Sequence, residues 1–216
     1  MAAGHIDALT KLLSIAGPAI GDATGEWSAA LSRPAEPLVA ELKSLLAAKN
    51  GFYVFESALH VFPDRATPPE HGLEVWNSAE LWRSSYGELA DGCLFFAEDT
   101  FGVQFCIAGG RISTFDPETG ERESITASVA EWAAVLLDDY QVLTGFPVAH
   151  EWQVQNGPLP PGKRLVPKKP FVLGGEFSLD NLYLLDAVTG MRVRGDLVRQ
   201  IKTLPDGAQV RFEIID

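Results

Sequence analysis

Residues 92–121 read Gly92-Cys93-Leu94-Phe95-Phe96-Ala97-Glu98-Asp99-Thr100-Phe101-Gly102-Val103-Gln104-Phe105-Cys106-Ile107-Ala108-Gly109-Gly110-Arg111-Ile112-Ser113-Thr114-Phe115-Asp116-Pro117-Glu118-Thr119-Gly120-Glu121. Runs of β-forming residues alternate with Glu-Asp-x-x-Gly, Gly-Gly and Asp-Pro-Glu-Thr-Gly turns. Short apolar runs separated by Gly, Pro and Asp turns mark successive hairpins, so the stretch predicts an antiparallel meander from about Gly92 to Ile125. Alternation within its strands predicts that Phe95, Phe105, Ile107 and Phe115 share one face and point into one core.

Outward from the meander the pattern is mixed. Phe52–Phe55 and Leu59–Phe62 read as two short strands. Pro37 opens a helix over Leu38–Lys49, with Leu38, Leu42, Leu45 and Leu46 at helical spacing, and Asn50-Gly51 ends it. A further helix is expected over Trp76–Trp82, capped by Asn77 or Ser78. Ser128-Val129-Ala130-Glu131-Trp132 begins a helix with a capping box, in which Ser and Glu satisfy each other's exposed backbone donors. Residues 1–33 are expected to be a loosely structured lead-in, with a short amphipathic helix near Ile6–Ile15. Residues 157–170 hold five prolines and the basic pairs Lys163-Arg164 and Lys168-Lys169, which predicts a solvated loop. After it come a strand and turn at Phe171–Gly175, an apolar run at Leu182–Leu185, a helix over Met191–Leu204 and a last strand at Val210–Ile214.

At 216 residues and 46% apolar content the chain suits one core domain with an appendage. Its net charge is −12, unevenly placed. Residues 1–150 hold 8 Lys/Arg against 21 Asp/Glu, and residues 151–216 hold 9 against 8. Such acidity disfavours nucleic acid and anionic membrane and favours a basic protein partner. No apolar run is long enough to span a bilayer. The start, Met1-Ala2-Ala3-Gly4-His5-Ile6-Asp7, has no basic leader region, so a cytoplasmic location is expected. Cys93 and Cys106 form neither a metal spacing nor a disulfide framework, and both are expected to be buried free thiols.

No nucleophile elbow, zinc helix or phosphate loop occurs; the four histidines are scattered, and no metal or cofactor is expected. A hydrolase reading would rest on the carboxylates around Glu98 and Asp116, although turn chemistry alone also favours acids there. A binding reading uses the same acids. Glu98, Asp99, Asp116, Glu118 and Glu121 lie at predicted strand ends, where they would form one negative face steering a basic partner. Trp82, with Glu74, Glu80 and Glu88 near it in sequence, would be its apolar anchor.

In order and spacing these pieces resemble the SUKH superfamily. They are the strand ending Phe96-Ala97-Glu98-Asp99, the strand Gly102-Val103-Gln104-Phe105-Cys106-Ile107, the turn Phe115-Asp116-Pro117-Glu118-Thr119-Gly120-Glu121 and the helix start Ser128–Trp132. The resemblance covers residues 34–152, with residues 153–216 as a C-terminal extension packed on that core. It implies an α+β fold: an antiparallel or mixed sheet meander flanked by helices, with an α/β extension. It also implies no catalysis. Members include fungal regulators of cell-wall synthesis and bacterial immunity proteins that bind and block toxin domains, often nucleases. Two protein-binding roles follow, a toxin-neutralising immunity protein or a regulatory scaffold without a toxin.

Overall fold

A computed structural model describes residues 2–21, 25–28, 31 and 37–202, with side chains from Ala8 onward. The fold is α+β. Six strands form an antiparallel meander in chain order: β1 (Phe52–Val54), β2 (Leu59–Val61), β3 (Leu94–Asp99), β4 (Gln104–Ala108), β5 (Arg111–Phe115) and β6 (Arg122–Thr126). The antiparallel meander expected from about Gly92 to Ile125 is present as β3 to β6. Helices α1 (Ala2–Ile15), α2 (Pro37–Ala48) and α4 (Val129–Asp138) lie on one side of the sheet. The helix start at Ser128 forms as expected. Ser128 Oγ accepts the Glu131 N–H at 3.1 Å, and Glu131 Oε2 reaches back to the Ala127 N–H at 3.0 Å. The chain continues through α5 (Tyr140–Thr144) and α6 (Phe146–Asn156) to a second hairpin, β7 (Lys163–Pro167) and β8 (Leu182–Asp186), and then α7 (Ala187–Ile201).

Several expectations are corrected. Phe95, Phe105, Ile107 and Phe115 are all buried, but on opposite faces. Phe95 lies opposite Cys106 and Phe115 opposite Gln104, whereas Phe105 pairs with Ala97 and Ile107 with Ile112. An irregularity in β3 between Phe95 and Ala97 shifts the alternation, so Phe96 joins Phe105 against Trp132, with ring centroids 5.1 and 5.6 Å away. Phe95 and Phe115 instead meet Trp82 and Tyr86 on the other side. Both sides of the sheet are covered, so both residue parities are apolar.

The helix expected over Trp76–Trp82 is α3 (Leu73–Trp76), and Asn77 ends it rather than starting it. The Asn77 side chain is taken up by β3: Nδ2 donates to Phe95 O at 2.8 Å and Oδ1 accepts the Phe95 N–H at 2.9 Å. Short 3-10 turns follow at Arg83–Ser85 and Gly87–Ala90. The lead-in is packed rather than loose through Gly21. Leu12 is fully buried, Gly17 N–H donates to Tyr53 O at 2.8 Å, and Lys49 Nζ donates to the carbonyls of Leu13, Ala16 and Gly17 at the end of α1. The proline-rich segment contains strand β7, and Phe171–Leu173 is a 3-10 turn, not a strand. Helix α7 starts earlier than Met191 because Asp186 caps it, accepting the Thr189 N–H at 2.9 Å. The expected strand at Val210–Ile214 lies outside the described residues.

Candidate functional site

The antiparallel order brings the ends of β3 and β5 and the start of β4 to one end of the sheet, so Glu98, Asp99 and the Asp116–Glu121 turn do come together there. They do not form an open acidic face. Glu98, Asp99 and Glu118 are buried, Asp116 is half-buried, and of the five only Glu121 is exposed. The β7–β8 hairpin and its flanking segments cover this end: Leu165 N–H donates to Thr100 O, Glu118 Oε2 accepts the Val172 N–H at 2.8 Å, and Phe101 packs edge-on against Phe171. Asp116 Oδ1 is engaged in its own turn by the N–H groups of Glu118 and Thr119. Asp99 Oδ1 accepts the N–H groups of Phe101 and Val103, both at 2.8 Å, and burial outweighs these donors to push its carboxyl up to about 7. Trp82 is fully buried among Trp76, Tyr86 and Phe95, so it cannot be a surface anchor.

Glu98 belongs to an ionic cluster that alternation partly foretells. Register places His60, Glu98 and Gln104 side by side on one face, with Tyr53 opposite His60. Gln104 Nε2 donates to Glu98 Oε2 at 3.1 Å, and Trp76 Nε1 donates to Gln104 Oε1 at 2.8 Å. His60 stacks on Tyr53 with centroids 4.4 Å apart and lies between two carboxylates: Glu98 Oε1 is 3.3 Å from Nδ1, and Glu70 Oε2 is 3.4 Å from Nε2. Tyr53 OH donates to Glu70 Oε1 at 2.8 Å. Arg164, from β7, closes the cluster: its Nη2 is 2.8 Å from Glu98 Oε1, and its guanidinium lies over the Tyr53 ring at 5.6 Å. Burial lowers the His60 pKa against the pull of Glu98. Burial also resists ionisation of Glu98, but Arg164, His60 and Gln104 outweigh it and the net shift is downward. Arg164 was expected in a solvated loop; its full burial follows from the charge of Glu98. Nothing in the sequence near Arg164 signals that pairing. None of His60, Glu98, Gln104 or Arg164 lines the surface cavities described next.

The larger surface opening is a groove of about 890 Å³ between the Glu74–Gly87 segment and the start of β3. Exposed Glu74, Glu80 and Asp91 stand on its walls, and Cys93 and Ile107 lie at its base. Arg83, the basic group on the lining, is turned to backbone carbonyls: its Nη1 donates to Cys93 O at 3.0 Å and its Nη2 to Ala90 O. Ser78 Oγ donates to Glu80, which holds that carboxyl below its usual value. A second hollow of about 470 Å³ is lined by Phe55, Tyr140 and Phe146 beside the β1–β2 turn. In that turn Phe55, Glu56 and Ser57 all take left-handed backbone with φ of 53°, 52° and 68°. Neither opening is foretold by the sequence, since each is made by segments distant in the chain. Among the described residues no group of three or more His, Cys, Asp or Glu is arranged to hold a metal ion. Among them, too, no helix is long and apolar enough to cross a membrane.

No protein-family model matches the chain, and no curated protein matches it. Its fold is similar to that in the crystal structure of Atu4351 from Agrobacterium tumefaciens, with a TM-score of 0.52 and 13% sequence identity over 85% of this chain and 86% of that one. At that identity the likeness speaks to the fold.

Proposed function

We propose that this chain is a non-catalytic binding module for a basic protein partner, an immunity protein of the SUKH kind that neutralises a nuclease-type toxin domain in the cytoplasm. The observation that carries the reading is the groove beside α3. It is large enough to receive side chains of a partner, and its exposed charges, Glu74, Glu80 and Asp91, are all acidic. The net charge of −12 adds long-range attraction for a basic partner. This surface replaces Trp82, Glu98, Asp99 and Glu118, which are buried, as the contact region. Two free thiols suit a reducing compartment.

The test is association kinetics with the product of the neighbouring gene, over a salt series. Changing Glu74→Gln, Glu80→Gln and Asp91→Asn together should lower the on-rate about tenfold at low salt and flatten its salt dependence, with the circular dichroism spectrum unchanged. Unaltered, salt-independent association of that variant would overturn the groove as the contact surface.

A further inference from the structure

One cysteine, Cys93, lines the groove, and a second, Cys106, lies fully buried near it in unequal surroundings. Cys106 lies on β4 opposite Phe95, and Cys93 precedes Phe95 by two positions, immediately before β3, so the two are diagonal neighbours at the end of the β3–β4 ladder. By parity both side chains belong to the face that carries Phe95. Arg122, which lies opposite Phe115 on the β5–β6 ladder, reaches across to donate from Nη1 to Cys93 Sγ at 3.5 Å. Arg83 holds the Cys93 carbonyl, and the Asp91 carbonyl lies 3.8 Å from Cys93 Sγ. Cys106 is fully enclosed, whereas Cys93 retains 6% exposure and lines the groove. The neighbouring Cys106 thiol, together with Arg122 and Arg83, outweighs burial and brings the Cys93 thiol down to about 7. The neighbouring Cys93 thiol and burial push Cys106 up.

We propose that Cys93 and Cys106 are a reversible dithiol site that reacts with hydroperoxides, Cys93 attacking and Cys106 resolving. In the first step the Cys93 thiolate attacks the terminal peroxide oxygen. The O–O bond breaks, an S–O bond forms, and hydroxide (or alkoxide) leaves, with the Cys93 sulfur oxidised to sulfenic acid. In the second step the Cys106 thiol gives its proton to the leaving hydroxyl as its sulfur bonds to Cys93 Sγ, releasing water and leaving a cross-strand disulfide. A thiol reductant returns both groups. Closure needs movement at Cys93, and the chain there allows it. Cys93 lies just outside β3 and follows Gly92, whose φ of 70° and open surroundings leave the backbone room to adjust. Thiolate character and access select Cys93 over the fully enclosed Cys106 as the attacking group. The chemistry requires no bound partner and stands apart from the binding function proposed above.

The experiment treats the reduced full-length protein with hydrogen peroxide, then counts thiols after denaturation and reads the intact mass. The expected result is loss of both thiols with a mass decrease of one hydrogen pair in a monomer, restored by dithiothreitol. In Cys106→Ser the reaction should stop at a sulfenic acid on Cys93, trapped by dimedone. In Cys93→Ser, Cys106 should stay reduced under the same treatment. Arg122→Met should slow alkylation of Cys93 by iodoacetamide at neutral pH by roughly threefold to tenfold, because less thiolate is present. Retention of both thiols in the wild-type protein, or a disulfide only between two chains, would overturn the proposal. Should the serine variants not fold, the wild-type thiol count and a peptide map of the cross-link decide it alone.

Discussion

The two faces of the six-stranded sheet are built on different physics. On one, Phe105, Ile107 and Ile112 meet Trp132, Ala133 and Leu136 of α4, with α1 and α2 behind, and the contact is almost wholly apolar. The other begins as an aromatic cluster of Phe95, Phe115, Trp82 and Tyr86 and ends as a charged one of His60, Glu98, Gln104 and Arg164. Area burial holds the first face and tolerates small misfits. The second depends on pairing, because a buried charge left alone is far costlier than a lost methyl group. The cover also differs in origin. The apolar face is covered by α4, which directly follows β6 in the chain. The charged end is covered by β7, β8 and α7, which arrive after the sheet is complete in sequence.

The sharpest way to break this comparison is Arg164→Met. It leaves the Glu98 carboxylate buried with no cation and should cost about 4–5 kcal/mol in urea unfolding. Adding Glu98→Gln to it should recover more than half of the loss. A single variant as stable as the wild type would show that Arg164 does not balance Glu98. Next in size is Phe105→Ala, expected to cost about 3–4 kcal/mol through lost burial and the cavity left beneath Trp132. Its cost should add to that of Arg164→Met, since they lie on opposite faces. Strong non-additivity would mean that the faces are coupled through the strands.

The smallest effect is in the pH profile. His60 has its pKa lowered by burial, so the unfolded chain binds more protons in the histidine range, and stability is full above about 6.5 and lost as pH falls below it. Asp99 has the opposite sign. Its pKa is raised by burial to about 7, so its contribution is present at low pH and lost as pH rises toward that value. The two partly cancel in the wild type. Asp99→Asn should remove the opposing limb and expose a loss of about 1 kcal/mol per pH unit on acidification below 6.5. Phe105→Ala should shift stability equally at every pH. An unchanged profile in Asp99→Asn would show that Asp99 titrates in its ordinary range.

Much of the fold was legible because its signals are local. Gly109-Gly110 and Asp116–Gly120 are turns whatever surrounds them, and each fixes the register of the hairpin it closes. Ser128 and Glu131 start α4 through bonds within four residues. The site was less legible. Glu98 and Asp99 were rightly placed at a sheet end, but charge at a strand end reads as surface unless something covers it. Asn77 looked like a helix start because the same side chain that caps a helix can also bond a neighbouring strand.

From its sequence alone, then, this protein has the strands of its six-stranded sheet, the turns of its meander, its α4 cap and its excess of acid over base in residues 1–150. Only the tertiary structure decided which acids meet solvent and which residues of each strand face which layer. Alternation fixes parity within a strand, but an irregularity in β3 reassigns it, and a sheet covered on both sides shows no polar parity to reveal the change. Glu98 is buried against Arg164, which arrives from a strand 66 residues further along the chain, with Arg194 from α7 bonded to the Phe101 carbonyl at the same end. Counter-charge acts through space, and the order of residues along the chain does not encode that distance.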